Sequence, residues 1–126
     1  MERIIDVFPA SQQELVRSQL ANVLSGVVTQ SLLPRADRSG RVAVREILLA
    51  NAAVRTLIRE AKTHQLYGTL SSSAGSGMCP LELSLAYYVR KRMLERGIAE
   101  REANRPAVLR SYLEAPRLPV PGSVGG

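Results

Sequence analysis

The stretch GRVAVREILLANAAVRTLIRE, residues 40–60, carries both kinds of element that the chain is predicted to form. Its first half is rich in β-branched and aliphatic residues and follows a turn cluster at 37–40, so it predicts the second strand of a hairpin. Its second half places apolar side chains at the spacing of one helical face. These are Val54, Leu57, Ile58 and Ala61. Asn51 between the two halves is predicted to be the N-cap of that helix.

The predicted helix has a basic stripe beside its apolar stripe, formed by Arg55, Arg59 and Lys62. Leu57 lies at the middle of the apolar stripe and is expected to be buried, whereas Arg55 is expected on the solvated side. The arginines have two readings. They are either the ordinary polar face of an amphipathic helix or, together with Glu60, an exposed contact surface for a partner.

The segment before the hairpin predicts a long helix. Ser11 and Glu14 have the spacing of a capping box, and apolar residues keep helical spacing from Val16 onward. Pro34 forbids continuation. Because β-branched residues are frequent near Val27, the helix is expected to end early, with the first strand beginning around residues 30–35.

Shorter helices are predicted after residue 60. One covers 63–70, and a flexible connector follows at 71–77. The next helix starts at Pro80, carries Glu82 at its positive end and is capped by Gly97. Two short helices are expected near 99–105 and 107–115, interrupted at Pro106. The buried face of the helix at Pro80 is expected to contain Leu81, Leu85, Tyr88, Val89 and Met93.

The composition indicates one globular domain. The chain has 126 residues, 45% hydrophobic residues and a net charge of +6. It contains no apolar run long enough to span a membrane and no signal peptide pattern. A single cysteine, Cys79, fits a reducing cytoplasm. All but two of the 17 basic residues are arginines; they are scattered and only 4% of residues are aromatic, so nucleic-acid binding is disfavoured.

The sequence contains no self-contained catalytic motif. The phosphate loop G-x-x-x-x-G-K-[ST] is absent from the 126 residues. One histidine and one cysteine cannot supply a structural zinc site. His64 is expected to be structural, since no nucleophile or orienting acid is signposted beside it. Cys79 is expected at a helix start, either with a lowered pKa or, as the preferred reading, as a passive residue. No catalytic, cofactor-binding or metal-binding residue is predicted.

Three segments together resemble a known family. RIIDVFP (3–9), residues 40–67 and Gly-Met at 77–78 resemble the C-terminal part of the type IV pilus retraction (twitching motility) ATPases, the PilT type of the secretion ATPase superfamily. The family hallmark A-I-R-N-L-I-R-E is matched here by AVRTLIRE. The resemblance is strong over residues 2–70, extends to about 113 and is absent from the tail. The matching motif residues are Ala53, Val54, Arg55, Thr56, Leu57, Ile58, Arg59 and Glu60.

The resemblance implies an α/β, mostly α fold in three parts. Residues 1–50 would be the C-terminal end of a RecA-like ATPase core, a long helix plus an antiparallel hairpin. Residues 51–115 would be a small helical bundle, and residues 116–126 a disordered tail. The resemblance implies that full-length members of the family form hexameric rings, which use ATP and magnesium. Their phosphate loop and acidic boxes lie before the segment matched by 3–9, so the chain is expected to be inactive alone.

The resemblance also implies a function. The expectation is a truncated or split retraction ATPase whose motif helix serves coupling or oligomerisation in a pilus motor. Its partners would be ATPase subunits, with the inner-membrane platform protein as a further partner. The alternative is a stand-alone interaction module that docks on pilus or secretion ATPases, and a small basic nucleic-acid binder ranks below both. The expected location is cytoplasmic, with a peripheral position at the inner membrane as a variant.

Overall fold

The fold consists of short helices around one antiparallel hairpin, as seen in a computed structural model that describes residues 2–72 and 77–122. It confirms the predicted mostly helical α/β class. The strands are β1 (Gly26–Pro34) and β2 (Arg41–Leu49). The helices are α1 (Glu2–Asp6), α2 (Ala10–Val23), α3 (Ala52–Arg59), α4 (Leu66–Ser72), α5 (Leu81–Arg90), α6 (Arg96–Glu102) and α7 (Pro106–Glu114), with a 3₁₀ turn at Thr63–Gln65 before α4.

The predicted hairpin is confirmed. The strands pair from Gly26 with Leu49 to Pro34 with Arg41. Asp37 Oδ1 holds the connecting turn by accepting hydrogen bonds from the Ser39 amide at 2.9 Å and hydroxyl at 2.6 Å. The first strand starts at Gly26 rather than near residue 30, because the β-branched residues that follow Gly26 pair with β2 and leave the helix before them.

The start of the long helix differs from its prediction. α2 begins at Ala10, Pro9 occupies the N-cap position, and no side chain caps the helix. The backbone carbonyl of Pro9 instead accepts from the Gln12 amide at 2.8 Å. Ser11 therefore lies inside the first turn, and the predicted capping box with Glu14 is wrong. The short helix α1 before it was not predicted.

The C-terminal helices differ from the prediction in their boundaries, since α6 spans Arg96–Glu102 rather than 99–105 and α5 ends early. Pro80 is the N-cap of α5, but the helix ends at Arg90 rather than near Gly97. Arg92 there adopts a left-handed conformation with φ of 59°, which ends the helix without a glycine. Gly97 lies inside α6 instead. Pro106 is the first residue of α7, where its missing amide hydrogen costs nothing.

The two segments predicted to be flexible have different outcomes. Residues 71 and 72 belong to α4, and 73–76 lie outside the described residues. The start of the tail contacts the protein. Leu118 packs against the core, and the Arg90 guanidinium donates to the backbone oxygens of Ala115 and Pro116 at 2.5 and 3.2 Å. The disorder predicted for 116–126 stays a prediction, and 123–126 lie outside the described residues.

The core has two clusters that share β2. One lies between the hairpin and the C-terminal helices, and the other lies between α2, α3 and α4. The first contains Leu33, Val42, Val44, Leu85, Ala86, Leu94, Ala99 and Leu109. The second contains Ala21, Leu48, Val54, Ile58, Leu66, Leu70 and Met78. β2 therefore joins the two halves of the chain into one packed unit, while the domain boundary predicted at residue 50 remains a prediction.

Candidate functional site

The motif helix α3 starts where the sequence places it. Asn51 precedes the helix in an extended conformation, and its side-chain oxygen accepts a hydrogen bond from the Val54 amide at 3.0 Å. This confirms the predicted N-cap. The chain passes from the end of β2 into α3 within two residues, so the sheet fixes where the motif lies.

One side of α3 is buried. Val54 and Ile58 are fully buried in the second core cluster, whereas Leu57 is only partly buried at its margin. The apolar stripe is therefore confirmed for Val54 and Ile58, but Leu57 is not its buried centre. Ala61 lies beyond the end of α3, is exposed and has a φ of 58°, so its predicted place in the stripe is wrong. Val54 and Ile58 are four residues apart and point to the same neighbours on α2 and α4, and Leu57 is rotated about 100° from Ile58.

A second side of α3 contacts the end of α2. Arg55 is half-buried, and its guanidinium donates a hydrogen bond to the backbone oxygen of Ala21. Arg59 is exposed and donates to the side-chain oxygen of Asn22 at 2.7 Å. A cation at the C-terminal end of a helix satisfies unpaired carbonyls and offsets the negative end of the helix dipole. The prediction that Arg55 lies on a solvated face is wrong.

The third side of α3 is open. Ala53, Thr56 and Glu60 are exposed. Thr56 donates its hydroxyl to the carbonyl of Ala52 at 3.0 Å, and Glu60 pairs with Lys62 at 3.2 Å. Beside this side runs a groove of about 810 Å³, hereafter the α3–α4 groove. It is lined by Ala52, Ala53, Thr56, Leu57, His64, Gln65, Gly68, Thr69, Ser72 and Arg105.

The N-terminal helices are tied to the 3₁₀ turn that follows the motif. The Glu2 carboxylate accepts from the Thr63 hydroxyl at 2.5 Å and from Arg17 at 3.4 Å. The hydrogen bond from Thr63 and then that from Arg17 lower the pKa of Glu2. His64 in this turn is exposed and faces the α3–α4 groove.

Cys79 is not a reactive thiol at a helix start. It lies one residue before the N-cap of α5 and forms an antiparallel bridge with Ile47 of β2. The side chain is fully buried. Burial raises the pKa of the thiol to about 11, so a lowered pKa is excluded and the passive reading fits.

Sequence reasoning missed a buried carboxylate at the junction of the helices. Glu82 is fully buried; its oxygens accept from the Arg105 amide at 2.8 Å and from the Tyr67 hydroxyl at 3.3 Å. The Arg105 guanidinium stacks 3.7 Å from the centre of the Tyr67 ring. The sequence did contain a signal for this burial. Glu82 lies three residues before the apolar Leu85 and four before the apolar Ala86, and so on the face that α5 buries.

A second carboxylate lies near the first. Glu46 on β2 accepts from the Leu81 amide at 3.3 Å and so caps the start of α5. Burial, and then repulsion from Glu82, raise the pKa of Glu46. The two glutamates hold α5, α7 and α4 against the hairpin, and their contacts are structural rather than catalytic.

The described residues limit what else this arrangement can do. Within 2–72 and 77–122, no three or more histidine, cysteine, aspartate or glutamate side chains come together as metal ligands. Across the same residues, no helix has the length and apolar character needed to cross a bilayer. The candidate site itself is a surface helix, α3, which is fixed on two sides and open on the third.

Known proteins are similar to this chain in sequence. The chain is 46% identical over 103 residues to a twitching motility protein of Neisseria gonorrhoeae. This alignment covers 82% of this chain and 28% of that protein. It is 37% identical over 106 residues to the type IV pilus retraction ATPase PilT of Pseudomonas aeruginosa, covering 84% of this chain and 30% of that protein. No protein-family model matches the chain.

A solved structure agrees with these relatives. The crystal structure of the pilus retraction motor PilT with bound ADP superposes with a TM-score of 0.75 at 33% identity, over 87% of this chain and 30% of that one. The chain has the fold of a helical module with a hairpin, which matches part of that motor. Over most of its length, the chain is related to the PilT-type retraction ATPases of type IV pili, and it spans about 30% of the length of these relatives.

Proposed function

We propose that the chain serves as the C-terminal coupling region of a type IV pilus retraction ATPase. The observation that carries this proposal is the arrangement of α3. Its motif residues are fixed by burial of Ile58 and by the Arg55 contact with α2, while Thr56 lines the α3–α4 groove and Glu60 is exposed. A rigid helix with one open side is suited to transmit the position of a partner.

The partners follow from the relatives. The open side of α3 would contact a neighbouring ATPase subunit of a hexamer or the inner-membrane platform protein. ATP and magnesium would be bound by other parts of a longer ATPase. A cytoplasmic position, peripheral to the inner membrane, accords with this role.

The first experiment measures ATP hydrolysis by the purified chain. We expect no magnesium-dependent turnover above background, because the 126 residues contain no phosphate loop. Turnover that persists through a second purification would contradict this part of the proposal.

The second experiment tests the open side of α3 in a motor. Residues 2–113 replace the matching region of the Pseudomonas aeruginosa relative, and twitching and ATP hydrolysis are measured. Thr56→Arg places a large charged side chain in the groove, and Ser111→Arg, on an exposed site of α7, is the matched control. We expect the groove variant to lose twitching and the control to keep it. Equal behaviour of the two variants, or loss of twitching in the unmutated chimera with ATP hydrolysis intact, would contradict the assignment.

The alternative is a docking module that binds an intact pilus ATPase. It is favoured by the apolar side chains that α1, its following turn and α2 leave exposed, among them Val7 at 77%, Leu15 at 61% and Val23 at 75%. Such side chains mark interaction surfaces when they are contiguous. The test is co-purification of the tagged chain with the Pseudomonas aeruginosa relative, using Leu15→Glu as the variant that should abolish capture.

A further inference from the structure

Arg105 places its guanidinium in the α3–α4 groove, over the face of a tyrosine. The side chain is exposed and lines the groove, and its guanidinium carbon lies 3.7 Å from the centre of the Tyr67 ring. That separation is the contact distance of two flat groups, so the N–H groups of the guanidinium lie at the edge of the stack. Within residues 2–72 and 77–122, these N–H groups donate no hydrogen bond and form no ion pair.

The position of Arg105 is fixed through the buried carboxylate of Glu82. That carboxylate accepts from the Arg105 amide at 2.8 Å and from the Tyr67 hydroxyl at 3.3 Å. Tyr67 in turn carries the Arg105 guanidinium on its ring. The backbone and the side chain of Arg105 are therefore both tied to one fully buried group. An arginine that is ordered before it binds loses less conformational entropy when it takes up a ligand.

The charge of the groove favours an acidic ligand. The described residues that line it include Arg105 and His64 and no aspartate or glutamate. Glu60 on α3 does not line the groove, and its carboxylate pairs with Lys62 at 3.2 Å. A planar guanidinium whose N–H edge is exposed matches a carboxylate, which accepts two of its hydrogen bonds at once. The side chain that complements the groove is therefore an aspartate or a glutamate.

Gly68 leaves space in the same groove that the fold itself does not require. It lies inside α4 without a positive φ, and a Cβ at this position would meet no described atom within 4 Å. Glycine in a helix interior is less favourable than alanine, and neither the backbone nor a described neighbour accounts for it here. An isolated helical glycine usually has a packing or functional reason. A partner whose backbone approaches α4 at Gly68 supplies that reason.

We propose that the α3–α4 groove binds an acidic segment of a partner protein, with a carboxylate of the partner on the Arg105 guanidinium and the partner backbone against Gly68. This pairing rests on the proposed function, because its partner is the one that the open side of α3 would contact. Gln65 and Thr69 in the groove offer an amide and a hydroxyl to the partner backbone. A nucleic acid is disfavoured, because binding to phosphates draws on many cations rather than on one arginine.

The first test is a titration of the full chain with a short acidic peptide, followed by amide NMR. The probe is a capped pentapeptide of alanines with a central glutamate, and the matched peptide has glutamine in its place. We expect a dissociation constant of about 1 mM for the glutamate peptide and about five-fold weaker binding of the glutamine peptide. The shifted amides should cluster at Gly68 and Arg105. No binding, equal affinities or shifts confined to other regions would overturn the proposal.

Substitutions separate the two contacts. Arg105→Lys keeps the charge but not the planar fork, so it should weaken binding of the glutamate peptide about three-fold; Arg110→Lys, at an exposed site of α7, is the control. Gly68→Ala should raise the melting temperature, because alanine favours the helix, and yet weaken peptide binding. Gly97→Ala, in α6 and equally open around its Cβ, should leave binding unchanged. Equal affinities of a variant and its control would overturn the corresponding contact.

The closing test uses the chimera with the Pseudomonas aeruginosa relative, in which the rest of a motor is present. We expect the purified chimera to bind the glutamate peptide as the isolated chain does; loss of binding would show that the motor covers the groove and would overturn an outside partner. Arg105→Gln should abolish twitching with ATP hydrolysis intact, whereas Arg110→Gln should not.

The same chimera distinguishes this proposal from the proposed function. If Thr56→Arg abolishes twitching and Arg105→Gln does not, the acidic partner is wrong and the coupling role stands. If Thr56→Arg leaves twitching intact, the coupling role fails, and the acidic partner of the motor fails with it.

Discussion

Arg55 should be a structural anchor as well as a motif residue. Arg55→Ala removes the donor to the Ala21 carbonyl at the end of α2. Hydrogen bonds of charged groups contribute about 1.5–3 kcal/mol, and a cation at a helix C-terminus about 0.3–1 kcal/mol. Because the side chain is half-buried and water can reach the freed carbonyl, we expect a loss of about 1–2 kcal/mol in the free energy of unfolding.

The loss is measurable in thermal melts followed by far-UV circular dichroism. For 126 residues the entropy of unfolding is about 0.26 kcal/mol/K, so the melting temperature should fall by about 4–8 °C. Arg59→Ala is the matched control. Its side chain is exposed and, among the described residues, donates to the Asn22 side chain alone, so its effect should stay within about 0.5 kcal/mol.

Hydrogen exchange adds a local readout. The Leu24 amide donates to the Leu20 carbonyl at 2.9 Å and closes the last turn of α2. Arg55→Ala should speed exchange of that amide more than exchange elsewhere, since the turn loses its cation. If Arg55→Ala and Arg59→Ala both have the melting temperature of the unmodified chain, the contact with Ala21 does not stabilise the fold and the reasoning is refuted.

Three further predictions concern the core and the buried titratable groups. Ile58→Ala should cost about 2–5 kcal/mol because its side chain is fully buried, and Leu57→Ala should cost clearly less; equal melting points would contradict the assigned burial. Burial raises the pKa of Glu46, so the folded state binds the proton more tightly than the unfolded state does. The free energy of unfolding should therefore fall as pH rises from the ordinary glutamate pKa through the folded pKa. Urea unfolding of Glu46→Gln across this pH window should not show that fall. Cys79, with its pKa raised to about 11, should react with iodoacetamide at pH 8 only after unfolding, and rapid labelling of the folded chain would contradict its burial.

Local signals in the sequence were sufficient for the hairpin and for the start of α3. The turn cluster at Asp37 and the capping oxygen of Asn51 act on backbone groups within three residues, so their effects can be read without the rest of the fold. The same holds for Pro106, whose ring suits the first residue of a helix.

Features that depend on distant contacts were not predictable. Whether Arg55 faces solvent or the end of α2 depends on the packing of α2 against α3, 34 residues away in the chain. The burial of Glu82 depends on the Arg105 amide, 23 residues away. The Ser11 and Glu14 pair has the spacing of a capping box. The helix begins one residue before Ser11, however, so Ser11 is not at the N-cap position and the pair does not cap the helix. The coupling role of the motif residues rests on the resemblance and stays a prediction.

The contacts around the motif helix have a mechanical consequence. Arg55 and Arg59 fasten α3 to the last turn of α2, and Glu2 links Arg17 of α2 to Thr63 just beyond α3. The polypeptide and these side-chain contacts thus connect α1, α2, α3 and the turn after α3 into a closed ring of contacts. A load applied by a partner in the α3–α4 groove cannot bend α3 alone without stretching one of these links. These elements should therefore move together as one rigid unit. The load would then be transmitted to the N-terminal helices without being lost in local deformation of α3.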